Sequence, residues 1–346
     1  MKPSQPSTIF LILIALAAPL FAASSPAPTP PLREYDILRA FPTGRLAALS
    51  AGDKPDAEGF TGSNHAHKYW VESGPQRGSC RAVIAAVIAD DLAAADNAWR
   101  GIDVTFSHQT ANGGFESKPQ ANGKDSSAFN NNVETAYFFL QEFGRAILII
   151  RQSPHAEHFT ARIAALEPKL RRAADYINSG FDTIIPKVGH SVNRVIIAAK
   201  AFGTCGLVLG DEKLITQSRR LIAHAITLRD EGGVFIENGG RDSSYNVVSI
   251  LFGSQLALHV PLPEFEAILP AALAWQLTRV LPNGEVDVKS NTRTGVGKEA
   301  NAFGQAKTVN YHEVVYALTY YGLIHHNTAC LEAADRVFAY TRSHNK

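Results

Sequence analysis

Cysteine is scarce in this chain: three residues in 346, Cys80, Cys205 and Cys330, lie far apart in apolar text. An odd, scattered set excludes a disulfide framework, and no C-x-x-C pair offers a structural zinc motif. The three read as buried thiols, with room for one bridged pair. Net charge is also lacking, since 33 Lys and Arg against 32 Asp and Glu leave +1. That balance excludes a general nucleic-acid or membrane surface. The N-terminal apolar run, Ile9–Ala18, is shorter than the ~20 residues a membrane span needs, and Pro19 follows it. With Lys2 before it and the small-residue zone Leu20–Ser25 after it, the run reads as a cleaved signal peptide over 1–24. No cysteine stands directly after that zone, which argues against a lipid anchor. Residues 25–33 are a Pro-rich linker, and 34–346 form one domain. Export to the periplasm or the medium, with no membrane span after cleavage, is the expectation.

What the chain does have is repetition. From Asp230 to Leu258 a Gly pair (Gly232, Gly233) leads to the β-prone run Val234–Ile236. A second pair (Gly239, Gly240) then gives way to Arg241-Asp242-Ser243-Ser244-Tyr245-Asn246 and a nearly all-apolar segment. Asp or Ser ahead of such a segment signals a helix N-cap, and apolar residues all round signal burial on every side. The pattern recurs at Gly59, Gly113, Gly180 and Gly284, giving intervals of 54, 67, 52 and 52 residues along the series. Amphipathic segments such as 158–179 and 213–228 separate the buried runs. Each unit therefore reads as loop, inner helix, turn, outer helix. About five or six such hairpins, with buried inner and amphipathic outer helices, favour closure over an open solenoid. The expected fold is all-α: an incomplete α/α toroid with short β-prone loops gathered on one rim, at partially positive helix N-termini that suit anions.

Polar residues at those inner-helix starts are the candidates for chemistry. Asn130, Asn131 and Asn132 open one helix, more amide than capping requires, and Glu134 follows as an acid. His190, Asn193 and Arg194 lie at i, i+3 and i+4, on one face if the helix includes all three. Arg241 and Tyr245 are again four apart; Asp242 beside them is simplest as a cap. Tyr245 is a proton-transfer group on the functional reading, with Arg241 lowering its pKa. Tyr311, His312 and Glu313 open the last unit. The polar loop 285–308, with Arg293, Lys298 and Lys307, is long for a connector; it reads either as a mobile lid offering cations to an acidic substrate or as a plain surface loop. Tyr69 and Trp70 are a sugar-stacking platform or a staple for their loop. His65 and His67 alternate as metal ligands on a strand do, but no carboxylate stands at a telling spacing, and no metal is expected.

An α/α toroid with Asn, His, Arg and Tyr at one rim resembles the toroidal polysaccharide lyases, the superfamily of alginate lyases and chondroitin- and heparin-degrading lyases. The Glu237…Arg241…Tyr245 segment is similar to the Arg/Tyr segment of the alginate-lyase type, and Asn131 or Asn132 resembles its Asn. Val133 stands where that type has a His directly after the Asn; His190, in the next unit, is closer to the chondroitin type. The resemblance implies β-elimination on a uronic-acid polysaccharide without a cofactor. Asn131 with Arg194 or Arg241 would neutralise the substrate carboxylate, His190 or Tyr245 would take the C5 proton, and Tyr245 would protonate the leaving oxygen. Asn130, Asn132, Asn193, Arg194, Tyr311, His312, Arg293 and Trp70 would bind substrate. Two other readings remain: a hydrolase on the same scaffold, needing two carboxylates from Asp242, Glu237, Glu134 and Glu313, and a non-catalytic glycan-binding envelope protein.

Overall fold

Glycine sets the register of the fold. In the computed structural model, which describes residues 32–119, 125, 127–300 and 304–344, the same turn occurs four times. Asp56 N–H donates to the Phe60 carbonyl at 3.1 Å, Thr110 to Gly114 at 2.9 Å, Asp230 to Val234 at 3.0 Å and Leu281 to Glu285 at 2.8 Å. Each turn holds a glycine at positive φ: Gly59 at 86°, Gly113 at 90°, Gly233 at 79° and Gly284 at 87°. The repeat thus centres on Gly233 rather than Gly232. Gly180, by contrast, has φ −92° and starts a helix. Phe181 and Ile184 bury one face of that helical turn, so the third unit enters its hairpin without the glycine turn.

Five helical hairpins follow one another among the described residues. They are α4 (Arg77–Ile88) with α5 (Leu92–Ser107), α6 (Phe129–Gln152) with α7 (Ala156–Ser179), α9 (Val192–Leu209) with α10 (Glu212–Thr227), α11 (Ser243–Ala257) with α12 (Pro263–Thr278), and α13 (Tyr311–Ile324) with α14 (Thr328–His344). Ahead of them lie α1 (Glu34–Arg39), α2 (Arg45–Leu49) and α3 (Gly62–His67); α8 (Phe181–Val188) precedes α9. α1 and α2 are separated at Pro42, whose ring cannot continue a helix. The one strand pair among the described residues is antiparallel β1 (Ile236–Glu237) and β2 (Gly240–Arg241). Met1–Ser24, the expected signal peptide, and most of the linker lie outside the described residues.

The first helix of each hairpin packs on the first helix of the next, in the order α4, α6, α9, α11, α13, and α1 touches α4, α6 and α13. These inner helices are buried almost all round: from Ser243 to Leu256 every residue of α11 except Tyr245 is buried. α9 is long and apolar enough to cross a membrane, but most of it is buried inside the fold. Outer helices carry one apolar stripe, as with Leu214, Ser218, Leu221 and Ala225 of α10.

At the centre, where α1 meets the inner helices, the core is ionic. Arg145 Nε donates to Glu34 at 2.6 Å and Arg145 Nη1 to Glu142 at 2.9 Å; Lys200 Nζ reaches Glu142 at 2.9 Å and Gln255 at 2.5 Å. His259 bonds the second Glu34 oxygen at 2.6 Å, and the Tyr320 hydroxyl donates to the first. All four charged residues are at most 1 % exposed. Burial pushes the Glu34 carboxyl up, but Arg145, His259 and Tyr320 more than reverse it and hold it at about 2. Burial likewise opposes ionisation of Glu142, and Lys200, Arg145 and Arg81 bring it to about 2.

Three outcomes are expected. Gly284→Ala combines a positive φ with a Cβ driven into the Arg336 backbone carbonyl, and a thermal melt will show a loss of ~2 kcal/mol or more. Gly239→Ala, at positive φ but in open space, will lose about 1 kcal/mol. Arg145→Met, which takes the guanidinium away from two buried carboxylates and leaves Glu34 to His259 and Tyr320 and Glu142 to Lys200, will cost ~3 kcal/mol by denaturant titration. Because the carboxyls of Glu34 and Glu142 sit below their usual 4.5, their stabilisation is complete above that value and is lost as pH falls towards about 2.

Candidate active-site cleft

The N-terminal turns of α4, α9, α11 and α13, with the middle of α6, surround one cavity of about 820 Å³. Arg77 comes from α4, Phe138 and Gln141 from α6, Asn193 and Arg194 from α9, Tyr245 and Val248 from α11, and Tyr311, His312 and Glu313 from α13. A second cavity of about 640 Å³ shares the wall of Arg77, Phe138 and Arg194 and adds Asn131, Glu134 and Lys187. A third, about 330 Å³, shares Phe252, His312 and Glu313 and reaches down to Glu142 and Arg145 of the buried network.

Tyr245 enters this space because Asp242 fixes the start of its helix. One Asp242 oxygen accepts from Ser244 N and Tyr245 N at 3.0 and 3.1 Å, as an N-cap does. The other accepts from Arg293 N at 2.9 Å and Thr294 N at 2.8 Å. The same carboxylate therefore caps α11 and ties down the polar loop. That loop is no lid at this point: Asn291, Arg293 and Thr294 are buried, and the anchoring bonds would have to break for it to swing. Its fixed position lays the Arg293 guanidinium 4.0 Å from the Tyr245 ring centre, with the Lys307 ammonium at 5.5 Å.

Arg293 is nonetheless committed. Its Nη1 bonds Glu237 at 2.9 Å and Ser191 at 3.1 Å, and its Nε bonds Glu299 at 3.0 Å. Lys307 also pairs with Glu299, at 2.5 Å. Glu237 in turn accepts from Asn193 N at 2.8 Å, capping α9 from outside. Asp242 and Glu237, two of the four carboxylates on which hydrolysis would rest, are thus spent on structure. Glu134 faces Arg194 at 3.3 Å and Lys187 at 3.8 Å. Glu313 lines the cleft without an ion pair to any described residue, its carboxyl raised by burial against the pull of Arg81 and Arg77.

Other polar groups in the cleft have no such commitment either. The Tyr245 hydroxyl and the His312 ring make no hydrogen bond to any described residue. Asn193 uses its Oδ1 on Ser191 at 2.9 Å, leaving the amide nitrogen as a donor. Arg77 has no carboxylate partner among the described residues; it donates to the Gly74 carbonyl at 3.2 Å and lies 5.3 Å from the Phe138 ring centre. Burial, then Arg81, push its guanidinium below the usual range, so an arriving anion would be favoured there. Tyr311 is less apt for proton transfer: burial raises its phenol to about 12.

Of the residues expected from sequence, Tyr245, Asn193, Arg194, Tyr311, His312 and Arg293 gather here, and Asn131 joins the second cavity, bonded to Lys187 and to the Asp125 carbonyl. Others lie elsewhere. His190 is exposed and precedes α9, which starts at Val192, so it shares no helical face with Asn193 and Arg194. Arg241 stands on β2, ahead of α11; it pairs with Asp230 and lies over Trp275 at 5.6 Å. The cation beside Tyr245 is Arg293 instead. Trp70 is 2 % exposed, donates to the Glu116 carbonyl at 2.9 Å and stacks on His108 at 4.1 Å, so it staples its loop. Asn130 and Asn132 line none of the three cavities; Asn132 bonds Ser117 and the Ser127 carbonyl. His65 sits on helix α3 rather than a strand and pairs with Asp56 at 2.8 Å. All three thiols are free and buried.

Arg77, Phe138 and Gln141 were not expected. Arg77 left one signal: a cation in the first turn of a helix opposes the dipole and calls for another reason to be there. No family model and no curated protein matches this chain.

Asp242→Ala is the test of the shared anchor. It will lower the melting temperature by the equivalent of at least ~2 kcal/mol and open 291–300 to limited proteolysis; a loop that stays resistant would contradict the anchoring role.

Proposed function

We propose that the protein is an exported polysaccharide lyase that cleaves a uronic-acid polymer by β-elimination, on an incomplete α/α toroid. Closure is supported by the meeting of side chains from all five inner helices around one cavity and by α1 touching α4, α6 and α13. Export rests on the N-terminal sequence pattern. The observation that carries the chemistry is the uncommitted set, the Tyr245 hydroxyl, His312, the Asn193 amide and Arg77, on a single cleft wide enough for sugar residues.

The C5 proton of a uronate becomes removable only when the neighbouring carboxylate is neutralised. Arg77 and the Asn193 amide supply charge and hydrogen bonds for that purpose, with Arg194 alongside. Tyr245 or His312 takes the C5 proton, the electron pair moves to form the C4–C5 double bond, and the C4–O bond breaks. The leaving oxygen takes its proton from Tyr245. Arg293, neutralised by Glu237 and Glu299, serves to hold the Tyr245 ring rather than to bind substrate charge. Hydrolysis is the second reading, and it rests on Glu313, whose raised carboxyl suits a general acid.

Purified protein incubated with alginate, glucuronan, hyaluronan, chondroitin, heparan and pectate will generate the ultraviolet absorbance of an unsaturated uronate with at least one of them. Tyr245→Phe will lower the rate by ~100-fold or more, and Arg77→Ala will raise KM more than it lowers kcat. No absorbance, with new reducing ends, would move the assignment to hydrolysis; neither signal would make it a binding protein.

A further inference from the structure

The second cavity differs from the main one in how its charges are balanced. Arg194 Nη1 lies 3.3 Å from one Glu134 oxygen, and Lys187 Nζ lies 3.8 Å from the other. Arg81 grips both oxygens of Asp53, at 2.9 and 2.5 Å. Among the described residues, every cation on this lining except Arg77 therefore faces a carboxylate, and Glu72 and Asp125 add two more acids. Glu134 is open enough to meet a ligand, with its side chain 18 % exposed. The main cavity carries Arg77, Arg194, Arg293 and Lys307 against Glu313 alone, and Glu237 and Glu299, which hold two of those cations, lie outside its lining.

We propose that the second cavity takes an uncharged sugar, so that the substrate is a copolymer in which a uronic acid alternates with a neutral unit such as an acetamido hexose, and that Glu134 rejects a second uronate there. The inference rests on the saccharide reading of the cleft but not on elimination. The two cavities share Arg77, Phe138 and Arg194, so a chain crossing that wall sets adjacent sugars on its two sides. A uronate in the main cavity meets Arg77 and the Asn193 amide. A second carboxylate beyond the wall would reach Arg194 or Lys187 only beside Glu134, and like charges brought together are what discriminates against a wrong ligand. A neutral sugar meets no such repulsion, and its hydroxyls find acceptors in Glu134 and Asp53.

Hyaluronan and glucuronan share their uronate and differ in its neighbour, so they make the matched pair for the test. Calorimetry measures the affinity of the Tyr245→Phe protein for hexasaccharides of each, and of the same protein with Glu134→Gln added, which keeps the shape and removes the charge. Hyaluronan is expected to bind ~10-fold or more tightly than glucuronan. Glu134→Gln is expected to raise the glucuronan affinity by ~10-fold while hyaluronan stays within ~3-fold. Glucuronan bound as tightly as hyaluronan before Glu134 is changed, or a Glu134→Gln effect equal on both, overturns the proposal; so does tight binding of alginate or pectate in place of either. The first comparison leaves Glu134 intact, so it decides the matter even if that variant fails to fold. A hyaluronan preference with no ultraviolet product from the unsubstituted protein contradicts elimination alone; no binding of any of the six polymers overturns both.

Discussion

The ion network of Glu34, Arg145, Glu142 and Lys200 fixes how the inner helices are turned about their own axes. Two full pairs taken out of water are weak contributors to net stability, because desolvation offsets attraction. Their geometry is a strong constraint, however, since each carboxylate oxygen has a named partner. Glu34 comes from α1, Glu142 and Arg145 from α6, Lys200 from α9, Gln255 from α11 and Tyr320 from α13, so one cluster ties five helices together.

The same helical stripes that carry the network carry the cleft. Tyr245, Val248, Phe252 and Gln255 succeed one another along one side of α11, and Asn193, Ile197 and Lys200 along one side of α9. On α6 the stripe runs Phe138, Gln141, Glu142, Arg145; on α13 it runs His312 or Glu313, Tyr316, Tyr320. The upper member of each stripe faces the cavity and the lower member enters the network. Rotating any one helix to improve its contact below would withdraw its side chain from the site above.

This explains what could be read in the sequence. Period and burial are properties of single helices, so the loop–inner–outer repeat was legible from Gly59, Gly113 and Gly284 and the apolar runs that follow them. Helix starts decided the site. Asp242 ahead of an apolar run gave the right cap, and hence Tyr245. An inner helix that begins at Val192 rather than His190 removed His190 from the face that Asn193 and Arg194 use. Arg241, in a two-residue strand, could not obey helical spacing. Partners far along the chain were invisible: nothing near Arg293 says that Glu237 and Ser191 will occupy its donors, and nothing near Arg77 says that no described carboxylate will pair with it.

The cleft's charges therefore divide by commitment rather than by residue type, and in the proposed reading the groups left open serve proton transfer and carboxylate recognition, with Glu313 the one unpaired carboxylate among the described lining residues. The most direct test of that division is cleavage in water carrying heavy oxygen, followed by mass spectrometry of the products. Elimination leaves both new ends unlabelled, with one end unsaturated, and this is the result the account predicts. Heavy oxygen in a new reducing end, with saturated products, would show that water attacks the bond and would contradict it.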